Sequence, residues 1–306
     1  MLGRFGRDAG SLLGVEIASG SVRILQLRRR QGGHAVCAWA VEPFEAPPGH
    51  WTAHPDVVAK ALQRAWQRSG SRQRQAAVAL PGSEVICKVH RLPARLSDSE
   101  MEAQLLAEAE RLFPFPLQDL ALDFQTLEAV PGPVDEVSVL VGACRHCLLE
   151  PLEQVFHSAG LQLVMVEVDS LALARTLAPG RLTAAAVLRI EAVRATVHTW
   201  SEPFMPQRLE LRFVPEQDQA QRLERIGHWL RSALTGTSVE CLHVAPCDVP
   251  EDGWLEGLAQ QLAMPCESLW PFAGLALAGL AMDSTLSCRE AGGMALAYGL
   301  ALGGGQ

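Results

Sequence analysis

The chain has 306 residues, 48% of them hydrophobic and 20% charged, a balance typical of globular proteins, and its length predicts about two domains. Its formal net charge of -8 disfavours binding to nucleic acid phosphates and to anionic lipid, and favours basic partners. We therefore expect a protein without a nucleic-acid partner.

The opening stretch LLGVEIASGSVRILQL, residues 12–27, predicts two apolar strands joined by a tight turn. The turn contains Ser19, Gly20 and Ser21, whose backbone and hydroxyl donors suit an anion. Glu16 stands at the end of the first strand, where its carboxylate could hold water around a metal ion. The residues alone leave two alternatives open, a phosphate-binding loop and the turn of an ordinary hairpin.

The next elements extend this unit to a β-β-β-α-β order. A third strand is expected over residues 34–44. Apolar residues from Val58 onward follow the i, i+3, i+4, i+7, i+8 spacing of a helix, which Gly70 ends. The segment AAVALP that follows indicates a buried strand.

A separate unit begins near Val85. Ser97 and Glu100 form a capping box that starts a helix, and Pro114 ends that helix. Two strands, at about residues 121–127 and 137–143, flank a Pro-Gly-Pro turn. The sequence therefore predicts a small αββ insertion in the first unit.

The first unit then resumes, and a second unit of similar pattern follows. A helix ended by Gly160, the strand LQLVMVEVD and a helix capped by Asp169 complete the first unit. From Ala184, the segment AAAVLRIEAVRATVHTW repeats the strand, turn and strand of the opening stretch, a weak internal repeat. A helix over about residues 217–234, the strand VECLHVA, a further helix and the small-residue helix GGMALAYGLAL complete the second unit. We expect two related α/β halves with a cleft between them.

The eight cysteines are expected to be reduced and mostly to serve as small core residues. Cys144 and Cys147 form a C-x-x-C motif, but no second motif completes a zinc site. Cys241 and Cys247 are poorly spaced for two ligands of one metal. We therefore expect a structural C-x-x-C motif and no metal site.

Two classes of protein, membrane-spanning proteins and hydrolases, find no support in the sequence. The longest apolar run, LWPFAGLALAGLAM at residues 269–282, is too short to span a bilayer and is expected to be buried core. No positively charged segment followed by an apolar one opens the sequence, which favours a cytoplasmic location. Ser83 in LPGSE lacks the G-x-S-x-G elbow, and the nine histidines show neither metal nor triad spacing.

Taken together, these segments resemble the PilM family, the actin-like, FtsA-related cytoplasmic proteins of type IV pilus assembly, with HofM and MshI as relatives. The resemblance is carried by LLGVEIASGSVRILQL, AVALPGSEVICKVHRLPARLSDSEMEAQLLAEAERLFPFPLQDLALDF, DEVSVLVGACR, AGLQLVMVEVDSLALAR and ALAYGLAL. It implies an actin-like α/β fold with its first half over residues 1–84 and 148–180 and an αββ insertion over residues 85–147. The second half, residues 181–306, is expected to have a reduced outer subdomain.

In that family, a cleft between the halves holds ATP, with one phosphate loop in each half and a glycine pair near the adenosine. The resemblance places the first loop on Glu16, Ser19, Gly20, Ser21 and Arg23, with Glu and Arg where the family has Asp and Lys.

The second loop and the glycine pair depart further from the family. Arg189-Ile190-Glu191-Ala192 stands in place of Asp-Ile-Gly-Ala, and Val244-Ala245 in place of the glycines. A carboxylate at Glu191 facing a phosphate at about 4 Å would cost about 4 kcal/mol. We therefore expect a vestigial phosphate loop and a pseudo-ATPase that is not an enzyme, with weak or no binding of ATP and magnesium.

The resemblance implies a cytoplasmic scaffold that binds the N-terminal tail of a PilN-like inner-membrane protein. Such a scaffold would be peripheral to the inner membrane through this partner and would join other inner-membrane components of a type IV pilus, pseudopilus or DNA-uptake (competence) machine. The alternative is an ATP-binding or ATP-switched actin-like protein that drives pilus assembly.

The tail is expected in the groove between the first half and the insertion. The candidate contact residues stand at a strand end and at a helix stop: Leu80, Pro81, Gly82, Pro114, Phe115 and Pro116. The alternative for the segment FPFP is that its side chains only pack the insertion.

Overall fold

Three β-sheets organise the chain, two of five strands and one of three strands. The structure is a computed structural model that describes residues 12–30, 33–45, 51–127, 135–177, 180–201, 205–214, 218–247, 253–272 and 288–303. Short 3-10 helices lie at Trp51–Ala53, Leu117–Asp119, His146–Leu148 and Leu182–Ala184.

The first half is built on a five-stranded sheet. Its strands are β1 (Leu13–Ile17), β2 (Ser21–Arg30), β3 (Gly33–Pro43), β4 (Gln75–Leu80) and β8 (Gln162–Val168), in the order β3-β2-β1-β4-β8. Its helices are α1 (Pro55–Ser69), α3 (Glu150–Ser158) and α4 (Asp169–Ala174). The apolar face of α1, including Val58 and Leu62, packs into the same core as Val155 and Phe156 of α3. Gly70 ends α1 in a left-handed conformation with φ 70°, which glycine adopts without strain.

The insertion comprises β5 (Ile86–Pro93), α2 (Asp98–Leu112), β6 (Leu120–Leu127) and β7 (Glu136–Arg145), with the sheet order β5-β7-β6. The capping box of Ser97 and Glu100 starts α2 as expected. The structure adds a strand to the expected αββ unit, because β5 pairs antiparallel with β7 from Ile86 to Pro93. Polar side chains interrupt the apolar alternation of β5, so its sequence is a weak strand signal.

The second half repeats the topology of the first. Its strands are β9 (Ala185–Ile190), β10 (Arg194–Ser201), β11 (Met205–Arg212), β12 (Cys241–Pro246) and β13 (Cys266–Ser268), in the order β11-β10-β9-β12-β13. Its helices are α5 (Gln219–Ala233) and α6 (Trp254–Leu262). Both five-stranded sheets therefore begin with an antiparallel meander and continue with two parallel strands. The internal repeat anticipates the hairpin of β9 and β10, whereas β11 and β13 were not predicted.

The last two helices, α7 (Cys288–Gly293) and α8 (Ala295–Gly303), close the seam between the halves. Helix α8 lies on β1 and α4 of the first half, and two glycines allow this close approach. A Cβ on Gly14 would overlap the backbone carbonyl of Ala297, and a Cβ on Gly299 would overlap that of Ala172. An apolar core shared by the halves contains Leu12, Ala77, Leu173, Val187, Trp200 and Leu300.

The apolar run at residues 269–282 is only partly described. Leu269 and Phe272 are buried, as expected for core residues, and residues 273–282 lie outside the described part of the chain. Among the described helices, none has the length and apolar character that a bilayer crossing needs.

Candidate functional site

The first candidate loop joins β1 to β2 as a closed hairpin turn. The amide of Ala18 donates to the carbonyl of Ser21 at 2.9 Å, and the carbonyl of Gly20 accepts from the amide of Phe44 at 2.9 Å. One backbone amide that a phosphate loop could offer to a ligand, that of Ala18, is thus engaged within the protein. At this turn the structure favours the hairpin alternative.

Glu16 and Arg23 face each other across this hairpin. They are register partners in β1 and β2, and Arg23 Nη1 lies 3.2 Å from Glu16 Oε1. Both side chains are only 3% exposed. The carboxylate expected to hold water around a metal ion is therefore paired with a buried arginine.

The second candidate loop supplies two more arginines and a second carboxylate. Arg189 lies in β9, Glu191 follows that strand, and Arg194 begins β10. Arg194 Nε donates to Glu191 Oε2 at 2.9 Å, and Arg189 Nη2 lies 4.0 Å from Glu191 Oε1. Glu191 thus has a cation on either side.

The two loops meet directly across the cleft. Arg189 Nη2 contacts Glu16 Oε1, and Ser19 Oγ lies 3.5 Å from Glu191 Oε2. Arg189 is 5% exposed and Glu191 is 2% exposed. We name this group of Glu16, Arg23, Arg189, Glu191 and Arg194 the cleft ion cluster.

The protonation states in the cleft ion cluster follow from its geometry. Burial opposes the charge of Arg189, but Glu16 and Glu191 raise the pKa of Arg189 above its ordinary value. Burial likewise opposes ionisation of Glu191, but Arg189 and Arg194 lower its pKa below the ordinary value. Both side chains of the second loop are therefore charged at neutral pH.

These residues do not fit a magnesium nucleotide. A phosphate between the loops would have to displace the contact of Arg189 with Glu16, and it would face the carboxylate of Glu191. Val244 and Ala245, at the position of the family's glycine pair, are fully packed inside β12. The cleft ion cluster thus lies where the family resemblance predicts the phosphates of a nucleotide.

A glycine pair does lie at the cleft, at a position the sequence did not single out. A Cβ on Gly292 would come within 3.3 Å of Ala245 Cα, and one on Gly293 within 3.5 Å of Arg23 Nε. The lack of a side chain at these two glycines therefore allows α7 to pack closely against β12 and Arg23.

A second polar contact joins the halves at α4 and β11. Asp169 Oδ1 accepts from the amide of Gly82 at 2.9 Å, and Arg208 Nε lies 3.0 Å from Asp169 Oδ2. Arg208 also binds Glu210 at 2.9 Å, and Glu210 lies 3.7 Å from Arg194 of the cleft ion cluster. Charges of alternating sign therefore run from the cleft to the loop after β4.

His198 lies beside this contact and is fully buried. Its Nδ1 is 2.9 Å from the hydroxyl of Ser170, and Trp200 Nε1 donates to the carbonyl of Ser170 at 3.1 Å. Burial lowers the pKa of His198 to about 4, so its ring is neutral at physiological pH. Sequence analysis identified neither Arg208 nor His198 as an inter-half contact, although His198 lies in a predicted strand.

A groove opens between the first half and the insertion. It is partly open to solvent, so a bound segment could enter it from the surface. Its lining is mostly apolar: Leu80, Val85, Cys87, Ala121, Asp123, Phe124, Gln125, Leu140, Gly142, Ala143, Cys144, Leu149, Val166, Glu167, Val168 and Leu171. We call this the insertion groove.

The structure brings one of the six candidate tail contacts to the insertion groove. Leu80 lines it, whereas the other five are absent from its lining, and Gly82 instead donates to Asp169. Phe115 packs against the core of the insertion, with the Arg145 guanidinium 5.9 Å from its ring centre.

The C-x-x-C motif divides between the interior and the surface. Cys144 is buried, Cys147 is exposed, and neither forms a disulfide. Burial raises the pKa of Cys144 to about 11, so its thiol is protonated and unreactive at neutral pH. The structural role of the motif stays a prediction.

Comparison with known proteins identifies the family. A family model described as "Type IV pilus assembly protein PilM" matches residues 14–193, more than half of the chain. The chain belongs to the PilM family. The resemblance seen in the sequence is thereby confirmed.

Solved structures agree with a PilM fold. A structure described as "PilM-PilN type IV pilus biogenesis complex" is similar with a TM-score of 0.76 and 23% identity, over 98% of this chain and 100% of that one. The ethanolamine utilization protein EutJ from Carboxydothermus hydrogenoformans is similar with a TM-score of 0.55 and 11% identity, over 95% and 89%. A diol dehydratase-reactivating factor in nucleotide-free form is similar with a TM-score of 0.51 and 7% identity, over 95% of this chain and 99% of that one. The expected actin-like α/β fold is confirmed.

Proposed function

We propose that this PilM-family chain is a cytoplasmic scaffold of a type IV pilus assembly complex that binds the N-terminal tail of a PilN-like inner-membrane protein. The observation that carries the proposal is the insertion groove, an apolar cavity on a chain of this family. The scaffold is held at the inner membrane through this partner. A solved PilM-PilN complex shares its fold, which supports the choice of partner.

The strands around the insertion groove suit an extended segment. β6 is one of the two edge strands of the insertion sheet, and β8 is one of the two edge strands of the first five-stranded sheet. Both contribute to the groove lining, with Phe124 from β6 and Val166 from β8. An outer strand offers unpaired backbone groups to an added strand, while apolar pockets hold alternate side chains.

The charge of the insertion groove favours a basic segment. Asp123 lies in the lining and makes no ion pair with any residue that the structure describes, and burial raises its pKa. A Lys or Arg of the tail would compensate this partly buried carboxyl. Cytoplasmic segments beside a membrane span carry an excess of such residues. The net charge of -8 adds a weaker, screened attraction.

We propose further that the chain is a pseudo-ATPase. The contact between Glu16 and Arg189 provides within the protein the bridge between the two loops that a nucleotide provides in the family. No step of the scaffold function then depends on ATP, and the ATP-switched alternative requires the cleft ion cluster to open.

The test is a titration of a synthetic PilN-like tail peptide into the full chain and two variants. The parent should bind with a dissociation constant of about 1 to 10 µM, because the entropy cost of ordering a flexible tail offsets part of the free energy gained from its apolar contacts. Phe124→Ala removes an anchor from the groove lining and should weaken binding at least about tenfold, or 1.4 kcal/mol. Asp123→Asn should weaken it by up to about tenfold.

Phe115→Ala is the matched control, because it makes the same substitution in the insertion outside the groove lining. It should change binding less than about threefold. If Phe115→Ala weakens binding and Phe124→Ala does not, the tail is anchored at the end of α2, as the sequence prediction has it. If neither Phe124→Ala nor Phe115→Ala weakens binding, the insertion groove is not the binding site.

A further inference from the structure

A metal-ligating set of side chains lies at the outer edge of the second five-stranded sheet. Cys241 and His243 belong to β12, and Glu267 belongs to β13. The thiol sulfur, a ring nitrogen and a carboxylate oxygen of these residues all lie within 4.8 Å of one another. Among the residues that the structure describes, they form a group separate from the cleft and the insertion groove.

The strand geometry holds these three side chains on one face. Residues i and i+2 of a strand point to the same side, which places Cys241 and His243 together. His243 is the register partner of Glu267, so Glu267 shares that side, and His243 Nδ1 lies 4.0 Å from Glu267 Oε2. Cys266 pairs with Leu242 and packs with it into the core on the opposite side.

The distances are close to those of a coordinated metal. Zinc binds sulfur at about 2.3 Å and nitrogen or oxygen at about 2.0 to 2.2 Å, so its ligand atoms lie about 3 to 4 Å apart. Glu267 has an exposed side chain, 65% accessible, and can approach by rotation without moving either strand. Cys241 and His243 are half-buried and are held by the paired strands.

The donor set also matches zinc in its chemistry. Thiolate, imidazole and carboxylate are the ligands that zinc combines in proteins, whereas calcium and magnesium require oxygen donors. A thiolate and a carboxylate together balance the charge of one zinc ion.

We propose that Cys241, His243 and Glu267 bind one zinc ion, with water as the fourth ligand. The ion ties the short outer strand β13 to β12 and so fixes the edge of the second half. This site escaped the sequence prediction because its third ligand comes from another strand, 24 positions beyond His243. It is independent of the proposed scaffold function.

The test begins with zinc titration of the chelator-stripped full chain against a chromophoric chelator. We expect one equivalent to bind with a dissociation constant of about 1 µM or lower. Cys241→Ser and His243→Ala should each weaken zinc binding at least about tenfold. Removing a residue that only hydrogen-bonds to a metal ligand already costs about that much, and a lost ligand should cost no less. Cys266→Ser, on the neighbouring strand with its thiol on the opposite side, should leave binding unchanged.

Two further readouts keep the test decisive if a variant fails to fold. Cobalt in place of zinc should give the near-ultraviolet absorption of a cobalt-thiolate bond in the parent chain. Zinc should also protect Cys241, but not the exposed Cys147, from alkylation followed by peptide mass spectrometry. The proposal is overturned if the parent binds no zinc, if binding survives loss of both Cys241 and His243, or if Cys147→Ser abolishes it.

Discussion

At the scale of single residues, Arg189 is the cation that both buried carboxylates of the cleft share. It contacts Glu16 and lies near Glu191, and all three side chains are at most 5% exposed. Without Arg189, Glu16 keeps Arg23 and Glu191 keeps Arg194, but both carboxylates lose a second cation in a medium of low polarity. The stability of the chain should therefore respond far more to Arg189 than to arginines at the surface.

Arg189→Met should lower the free energy of unfolding by about 1.5 to 3 kcal/mol, the range for a lost hydrogen bond to a charged group, measured by urea denaturation. Arg64→Met is the matched control, because Arg64 pairs with Glu42 at 2.7 Å but is 52% exposed. It should cost about 1 kcal/mol or less. Equal effects of the two single variants would contradict the importance of the cleft ion cluster.

His198 gives a pH dependence of defined sign. In the unfolded chain a histidine takes up a proton near its ordinary pKa of 6.5, whereas in the native chain burial lowers the pKa to about 4. Between these values only the unfolded state gains the proton, so stability is full above about pH 6.5 and falls by up to about 1.4 kcal/mol per pH unit below it.

Chemical denaturation between pH 7 and pH 4 measures this slope. His198→Asn should flatten it, because asparagine takes up no proton. The same change at the exposed His228 serves as the control and should leave the slope as in the parent. A parent curve that rises toward pH 4 would contradict the sign.

The sequence anticipated these residues only in part. It marked Arg189, Glu191 and Arg194 as residues that change a phosphate loop, because the resemblance aligned them with that loop. It did not predict the contact of Arg189 with Glu16, since the two are separated by 173 positions and meet only when the halves pack together. Periodicity reports which face of a strand is buried, and it carries no information about partners across a cleft.

At the scale of elements, the approach of α8 to the first half depends on glycine. Gly299→Ala should lower the free energy of unfolding by about 1 to 3 kcal/mol, because the new Cβ would overlap the carbonyl of Ala172. Gly20→Ala is the control, since its nearest neighbour, the carbonyl oxygen of Phe44, would be 3.9 Å away. Its effect should stay within about 0.5 kcal/mol. A tolerated Gly299→Ala would contradict the packing of α8 on α4.

Prediction and structure agree best for the elements whose local sequence patterns are strong. The helix from Val58 to Gly70 and the capping box at Ser97 are local signals, and both appear where expected. Strand β5 was missed because Lys88, His90 and Arg91 interrupt its apolar alternation, and only pairing with β7 makes it a strand.

At the scale of the whole molecule, three sets of contacts join the two halves. Two of them are polar, the cleft ion cluster and the pair of Asp169 with Arg208. The third is the apolar core around α8. A ligand stabilises a protein only through its affinity for the native state. A chain that fills its own cleft should therefore gain no stability from ATP.

Thermal unfolding with about 1 mM ATP and magnesium should show the same midpoint as without them. A dissociation constant of about 10 µM would add about 2.7 kcal/mol at this concentration, a shift of several degrees. Such a shift would contradict the pseudo-ATPase proposal and would restore the ATP-switched alternative.

The central claim is that the scaffold binds its partner's tail without a nucleotide, and one titration tests it most directly. A fluorescent PilN-like tail peptide is titrated with the full chain, in the presence and absence of ATP and magnesium. We expect one binding curve for both conditions, with a dissociation constant of about 1 to 10 µM. No binding up to about 1 mM chain, or binding that appears only with ATP, would contradict the account.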